Sequence, residues 1–409
     1  MPIGPDLVAL GRAHMDAAHE MILGAALLGV LSIIAGLLSR RVGAPVLLVF
    51  LVLGMLAGED GLGGIRYDDF SSAYLVGSAA LAVILLQGGL ETNVAMLRLA
   101  LWPALALAVI GVGITAVIVS AAVSWIAAVP FTMAMLVGAA VAPTDAAAVT
   151  ALLGRARLAL PERVTSLLTV ESGLNDPASI FLTVFVIRVI IAPGSADWLE
   201  AAMLFLHEMF GGLVIGLAGG WLIAQLLRRL AMDPPTAMVL VLAAGLMVFS
   251  LAQVLGASGF LAIYLTGVVV GASPHRARHE IANFVEGSAW LAQIVLFLML
   301  GLLVTPHELG PSIPIGIGTA LVLLLVARPV ATFACLLPFR FPWRQSAFAA
   351  WVGLRGAVPI YLSFIPALAD PLRDARLFSG VFVVVVVSLV IQGWTLVPAA
   401  LLLGFRRAE

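Results

Sequence analysis

Apolar residues run through this chain in blocks of about twenty, broken by short polar or glycine-proline stretches. A helix needs about 20 mostly apolar residues to cross a bilayer. Thirteen segments fit that pattern: roughly 21–39, 45–62, 71–90, 99–126, 130–154, 162–191, 203–227, 236–254, 258–273, 280–304, 313–337, 344–366 and 378–403. The loops between them are short. The pattern predicts an all-α polytopic membrane protein, with residues 1–20 as a mixed N-terminal tail or lead-in and 21–409 as one transmembrane domain carrying no cytosolic regulatory domain.

Two of these blocks are interrupted where lipid tolerates it least. Val141-Ala-Pro-Thr-Asp-Ala-Ala-Ala-Val149 and Glu171-Ser-Gly-Leu-Asn-Asp-Pro177 each put a carboxylate and a proline deep in an apolar run. Charge at that depth costs a few kcal/mol or more. Irregular backbone survives there only if protein or a water-filled cavity covers it. A polar site inside a helix bundle is therefore expected.

The chain also repeats itself. Gly54 and Gly58 recur as Gly267 and Gly271, and Gly43-Ala44 as Gly256-Ala257, all at a spacing of 213 residues. The end of the third span, Leu85-Leu86-Gln87-Gly88-Gly89-Leu90, recurs near Leu298-Met299-Leu300-Gly301-Leu302. Spans seven apart run in opposite directions, so the repeat is inverted, roughly 21–192 against 236–403 with 203–227 as a linker helix. Inverted repeats are a mark of alternating-access transporters. Carried forward by 213, Thr144-Asp145 lands inside Gly353-Leu-Arg-Gly-Ala-Val-Pro359, a second apolar run broken by glycine, proline and charge. Paired broken helices, here spans 5 and 12, point to a transport site.

Composition agrees with this picture. Hydrophobic residues make up 62% of the chain and charged residues 11%, against about 25% charged in soluble domains. All 21 basic residues are arginine. Fourteen fall on one side of the predicted spans, five on the other, and Arg328 and Arg355 within spans. By the positive-inside rule the arginine-rich side is cytoplasmic, which puts the N-terminus outside and the C-terminus inside a bacterial inner membrane. The acidic loops Asp68-Asp69, Asp197/Glu200 and Asp370/Asp374 fall outside. The single cysteine, Cys335, excludes an internal disulfide. No signal peptide, Walker motif, redox-cofactor motif, metal-ligand histidine spacing or nucleic-acid-binding surface is present, so no cofactor is expected and ion gradients must supply the energy.

Asp176 carries the chemistry. A mid-span carboxylate can hold a proton or a hard, oxygen-seeking cation, and competition between the two is sufficient for antiport. Ser172, four residues earlier, shares its helix face and can add an oxygen. Thr144 at the break either ligates the ion or caps a half-helix. Asp145 opens the second half-helix, where a carboxylate stabilises the positive helix end and can also bind the ion. Glu171 needs a countercharge, and either Arg328 or Arg355 can supply it; the other is free to offset the negative end of a broken helix. Gln87 and Glu91 end the third span near the interface; Gln87 can line the ion path, with simple hydrogen bonding between helices as the plainer role.

Thr144-Asp145, Glu171-Ser-x-x-Asn175-Asp176 and Gly353-Leu-Arg-Gly-Ala-Val358 together resemble the signatures of monovalent cation/proton antiporters of the NhaP/NHE group. Gly54-Met-Leu-Ala-Gly58 and Trp290-Leu-Ala-Gln293 narrow the resemblance toward its potassium/proton, cell-volume-regulation (CvrA) branch. It implies thirteen spans, crossed broken helices, a homodimer, and exchange of K+, or alternatively Na+, for H+. It maps the ion-binding aspartate to Asp176, with Thr144, Asp145, Ser172 and Asn175 around it, and the Glu–Arg pair to Glu171 and Arg328, leaving Arg355 at the break. The Asn175-Asp176 pair implies electroneutral one-for-one exchange. The pattern is departed from at Gln87, where relatives carry an acid. A cation channel, an intramembrane aspartic enzyme built on Asp145 and Asp176, and an organic-anion symporter are the competing expectations.

Overall fold

The computed structural model describes residues 5–42, 45–155, 158–192, 198–230, 232–368 and 375–407. Gly43-Ala44 of the repeat, Arg157, Arg373 and the loop acids Asp197, Asp370 and Asp374 lie outside them. The described chain is a bundle of helices: α1 Pro5–Val42, α2 Val46–Ala57, α3 Phe70–Glu91, α4 Val94–Ala127, α5 Phe131–Val141, α6 Ala146–Arg155, α7 Glu162–Ile191, α8 Trp198–Arg229, α9 Pro234–Val254, α10 Gly259–Ala272, α11 Arg278–Leu302, α12 Gly310–Phe339, α13 Trp343–Trp351, α14 Ala357–Ala367 and α15 Ala375–Leu402. A two-residue antiparallel pairing, Leu158–Ala159 with Arg406–Arg407, ties the α6–α7 loop to the end of α15.

Every segment read as a span falls on helix. Among the described residues nine helices are long and apolar enough to cross a membrane, and ten if α5 and α6, bent by 41°, count as one broken span. α2, α10 and α14 are shorter apolar helices; α10 keeps the bounds read for it, α14 follows the expected break, and the span read over 45–62 runs past the end of α2 into the turn that begins at Gly58. α1 starts at Pro5 and takes in the stretch read as a lead-in.

Helix packing in lipid lacks a hydrophobic drive and relies on close backbone approach through small residues. Two such approaches organise this bundle. A β-carbon at Gly54 of α2 would strike the Leu298 carbonyl and Gly301 of α11, and one at Gly301 would strike the Leu51 carbonyl. In the same way Gly267 of α10 closes on the Leu86 carbonyl and Gly89 of α3, and Gly89 on the Tyr264 carbonyl. The two contacts use equivalent positions, each pairing one helix from either half of the chain. α4 and α12 also match: each contains a π-helical stretch, Ala106–Gly111 and Leu323–Ala327, and the two helices pack together.

Candidate functional site: a cavity between two broken helices

Both breaks lie side by side in the bundle. Pro143 follows the end of α5, and proline cannot continue a helix ladder because it has no N–H to donate. α5 therefore stops with bare carbonyls, and α6 begins afresh at Ala146. In the second break Gly353 and Gly356 flank Leu354 and Arg355 between α13 and α14. The breaks are joined directly: the Asp145 N–H donates to the Leu354 carbonyl at 2.8 Å.

Each exposed helix end finds a partner. Arg355, fully buried, donates through Nη1 to the carbonyls of Ala142 and Pro143 at 2.5 and 2.6 Å, so a cation meets the negative end of α5. Asp145 Oδ1 accepts from the Ala148 N–H at 3.0 Å, and Ser172 Oγ from the Ala146 N–H at 3.2 Å; these two cap the positive end of α6. The first residues of α14 have no side-chain cap. Gly356, Ala357 and Val358 instead face the same cavity as Asp145. Two helix N-termini thus converge on one carboxylate-lined space, an arrangement that favours negative charge.

That cavity, of about 80 Å3, is lined by Thr144, Asp145, Ser172 and Asp176, with Tyr264, Gln293 and Thr169 around them. Asp176 sits on α7, 7% exposed. Among the described residues no donor reaches its carboxylate. Burying a carboxylate without partners is costly, so a proton or a cation is the natural occupant. Gly173, one turn before it, leaves room for the Tyr264 ring, since a β-carbon there would overlap that ring. Asn175 does not line the cavity; its Nδ2 donates to Thr144 Oγ1 at 2.8 Å and pins the break of α5 and α6 to α7.

Glu171 and Arg328 form a two-pronged ion pair, Nη1 to Oε1 at 2.6 Å and Nη2 to Oε2 at 3.0 Å. They are 1% and 3% exposed, and Gly353 is backed against the Arg328 Nε, leaving no space for a side chain. The pair joins α7 to α12 and to the second break while adding no net charge.

Some positions had a different part in the structure from the one expected. Gln87 and Glu91 both line the cavity, and their hydrogen bond, Gln87 Nε2 to Glu91 Oε1 at 2.5 Å, runs within α3 and not between helices. Ser388 and Gln392 of α15 were missed. Ser388 Oγ accepts from the Arg355 N–H at 3.1 Å and donates to Gln392 Oε1, while Gln392 Nε2 donates to the Trp351 carbonyl. They satisfy the backbone of the second break. Two polar residues four apart in an otherwise apolar helix were the available signal.

Comparison with known proteins adds to this geometry. Residues 28–402 match the family model described as sodium/hydrogen exchanger, transmembrane. The chain is 45% identical over 389 residues to the K(+)/H(+) antiporter NhaP2 of Shewanella oneidensis, covering 94% of this chain and 67% of that one. It is 41% identical over 386 residues to the K(+)/H(+) antiporter NhaP of Alkalimonas amylolytica, with the same coverage. The Na(+)/H(+) antiporter ApNhaP of Aphanothece halophytica is 27% identical over 311 residues, 72% of this chain and 58% of that one. The chain thus spans about two thirds of the length of the K(+)/H(+) relatives. In fold it is similar to the sodium proton antiporter MjNhaP1 from Methanocaldococcus jannaschii at pH 8, with a TM-score of 0.81 at 22% identity, covering 94% of this chain and 100% of that one.

Proposed function

The chain belongs to the sodium/hydrogen exchanger family and is a cation/proton antiporter, a multi-pass transporter and not an enzyme; on that premise we propose that it exchanges K+ for H+, one for one, at Asp176. The observation that carries this reading is the buried Asp176 carboxylate, without a protein donor, on a cavity between two half-helix N-termini. A proton and a cation compete for it. Either one neutralises the site and lets it cross between the two faces; the empty, charged site stays where it is.

Around Asp176, Thr144, Asp145 and Ser172 supply oxygens, and Asn175 holds Thr144 in place. Asp145 is held at the break, capping α6 through the Ala148 N–H and lying against Gly356 at the start of α14. Glu171 and Arg328 cancel each other, and Arg355 serves the carbonyls of α5. Asp176 is the cavity carboxylate to which none of the described residues donates, whereas Asp145 accepts from Ala148 and Glu91 from Gln87, so it is the one that changes state, which gives one proton for one cation. The reading asks for no cofactor. K+ is favoured over Na+ by the relatives named K(+)/H(+) antiporters at 41–46% identity, against 27% for one named for Na(+). The twin glycine contacts and the matching π-helical stretches support two inverted repeats. We place the arginine-rich loops in the cytoplasm of a bacterial cell, with the N-terminus outside, and assign the working form as a homodimer, with the weakly buried α1 as the surface available for pairing.

The test is exchange in proteoliposomes. K+, Na+, Rb+ and Li+ are compared under a proton gradient, with and without a clamped membrane potential. Saturable flux led by K+ and indifferent to the potential is the expected result. Flux led by Na+, or driven by the potential, overturns the ion or the stoichiometry. Flux without an opposing proton movement makes the protein a channel.

A further inference from the structure

A second polar site lies away from the ion cavity, where α8 ends and α9 begins. A cleft of about 420 Å3 opens between the end of α8 and the loop joining α10 to α11. Arg228 and Arg229 line it from α8, and His275 and Arg276 from the loop. None of the three arginines forms an ion pair among the described residues. Asp233, also on the rim, is occupied as the first residue before α9, where the Thr236 side chain holds its carboxyl below the usual range. The cleft keeps a net positive charge. His275 also lines the cleft, but its ring turns to the Val270 carbonyl, which leaves the three guanidinium groups as the donors that face the cleft.

Three guanidinium groups match the oxygens of a phosphate, which arginine engages in paired hydrogen bonds. The setting specifies the rest. The apolar part of α8 ends at these arginines, which puts the cleft at the level of lipid headgroups. Val214, Leu217 and Trp221 are 47%, 43% and 56% exposed, and they share one helix face with Arg228 at spacings of three, four and seven. An acyl chain laid along that face leads its phosphate into the cleft. Leu227, Met232 and Pro274 give the cleft an apolar floor.

We propose that the cleft between Arg228, Arg229, Arg276 and His275 is a binding site for the headgroup of an anionic phospholipid. Such a site is independent of the ion cavity. It fastens α8 and α9 to the α10–α11 loop through one bridging ligand.

The experiment uses the full chain in a neutral detergent and follows its melting temperature. The probes are short-chain phosphatidylglycerol, short-chain phosphatidylcholine and inorganic phosphate. Phosphatidylglycerol should raise the melting temperature to a plateau. Phosphatidylcholine, whose choline charge faces three arginines, should not. Arg229→Gln and Arg276→Gln should each weaken the phosphatidylglycerol response by about tenfold, while Arg229→Lys keeps part of it. Equal response to both lipids, or an unchanged response in the arginine variants, overturns the proposal. A plateau with inorganic phosphate and none with phosphatidylglycerol overturns the lipid assignment and makes the ligand a soluble phosphate compound. Failure of one variant to fold leaves the other two to decide.

Discussion

Asp145 and Gly356 touch so closely that a β-carbon on Gly356 would overlap the Asp145 carboxylate. Gly356 has a negative φ of −98°, and a side chain there has no space beside the Asp145 carboxylate. The contact brings the carboxylate of one broken helix to the N-terminus of the other. It is the tightest point of the crossing.

Gly356→Ala should therefore push Asp145 out of place. A misplacement near 1 Å at a working site can cost ~100-fold in rate, and overpacking costs ~1–3 kcal/mol of stability. Exchange in proteoliposomes and melting temperature measure the two effects. Gly113→Ala, where a β-carbon meets nothing within 4 Å, is the neutral control. Equal activity of the two variants refutes the steric argument.

Asp176→Asn should abolish exchange while leaving the protein folded, because no internal hydrogen bond depends on that carboxylate. Asp145→Asn should cripple exchange too, yet fold, since asparagine caps a helix as well as aspartate does. Asp145→Ala should lose about 1 kcal/mol more. Cation-driven pH change in vesicles and thermal unfolding separate the three. Wild-type exchange by Asp176→Asn would remove that residue from the ion site.

Glu171→Gln leaves Arg328 buried without a countercharge. Breaking a buried pair in this way costs about 3–5 kcal/mol. The protein that still folds should keep a near-normal half-saturation for K+. A large loss of cation affinity at unchanged melting temperature would make Glu171 an ion ligand and not a structural partner.

Ser388→Ala removes the acceptor of the Arg355 N–H and one partner of Gln392. An unsatisfied buried group costs about 1–3 kcal/mol. Ser388→Thr keeps the hydroxyl and should restore most of the lost stability; if it melts no higher than the alanine variant, the hydroxyl is not what holds the break.

On the far side of the bundle, His307 meets Asp60 with its ring Nδ1 at 2.6 Å and its N–H at 2.9 Å. The hydrogen bond that the His307 ring donates to Asp60 holds His307 above its ordinary range, and the His307 backbone N–H holds Asp60 below its own. The histidine contribution is present below its unfolded value of about 6.5 and is lost as pH rises through the raised one. The aspartate contribution is present above about 4 and is lost as pH falls through the lowered one. The contact is therefore strongest between about pH 4 and 6.5. Melting curves of the wild type and His307→Gln should differ most in that window and converge above it. A constant difference across pH would mean that charge plays no part.

Much of the fold was legible because lipid leaves few choices. Apolar blocks of span length announced the helices, and Pro143 with Thr144-Asp145 announced the break. What the pattern hides is reach across helices. Read from the residues alone, Arg328 and Arg355 were equal candidates for Glu171; the family resemblance singled out Arg328, and the bundle puts it beside Glu171 with Arg355 at the α5 carbonyls. Gln87 was open to a place on the ion path or a bond between helices, and packing turns both it and Glu91 toward the cavity. Ser388 and Gln392 bond to backbone atoms some forty residues away in sequence, and backbone atoms leave no trace in a pattern of side chains. The end of α2 was overestimated, the span having been read through the turn that begins at Gly58.

The twin glycine contacts also set a timetable for biosynthesis. Gly54 of α2 closes on Leu298 and Gly301 of α11, and Gly89 of α3 on Tyr264 and Gly267 of α10. At roughly 5–20 residues per second, the ribosome needs on the order of ten seconds or more to deliver each late partner. Through that interval the early helices stand in the bilayer with bare, notched surfaces. The first half cannot finish its own packing, so any stall or truncation beyond α3 leaves an incomplete bundle for membrane quality control to recognise.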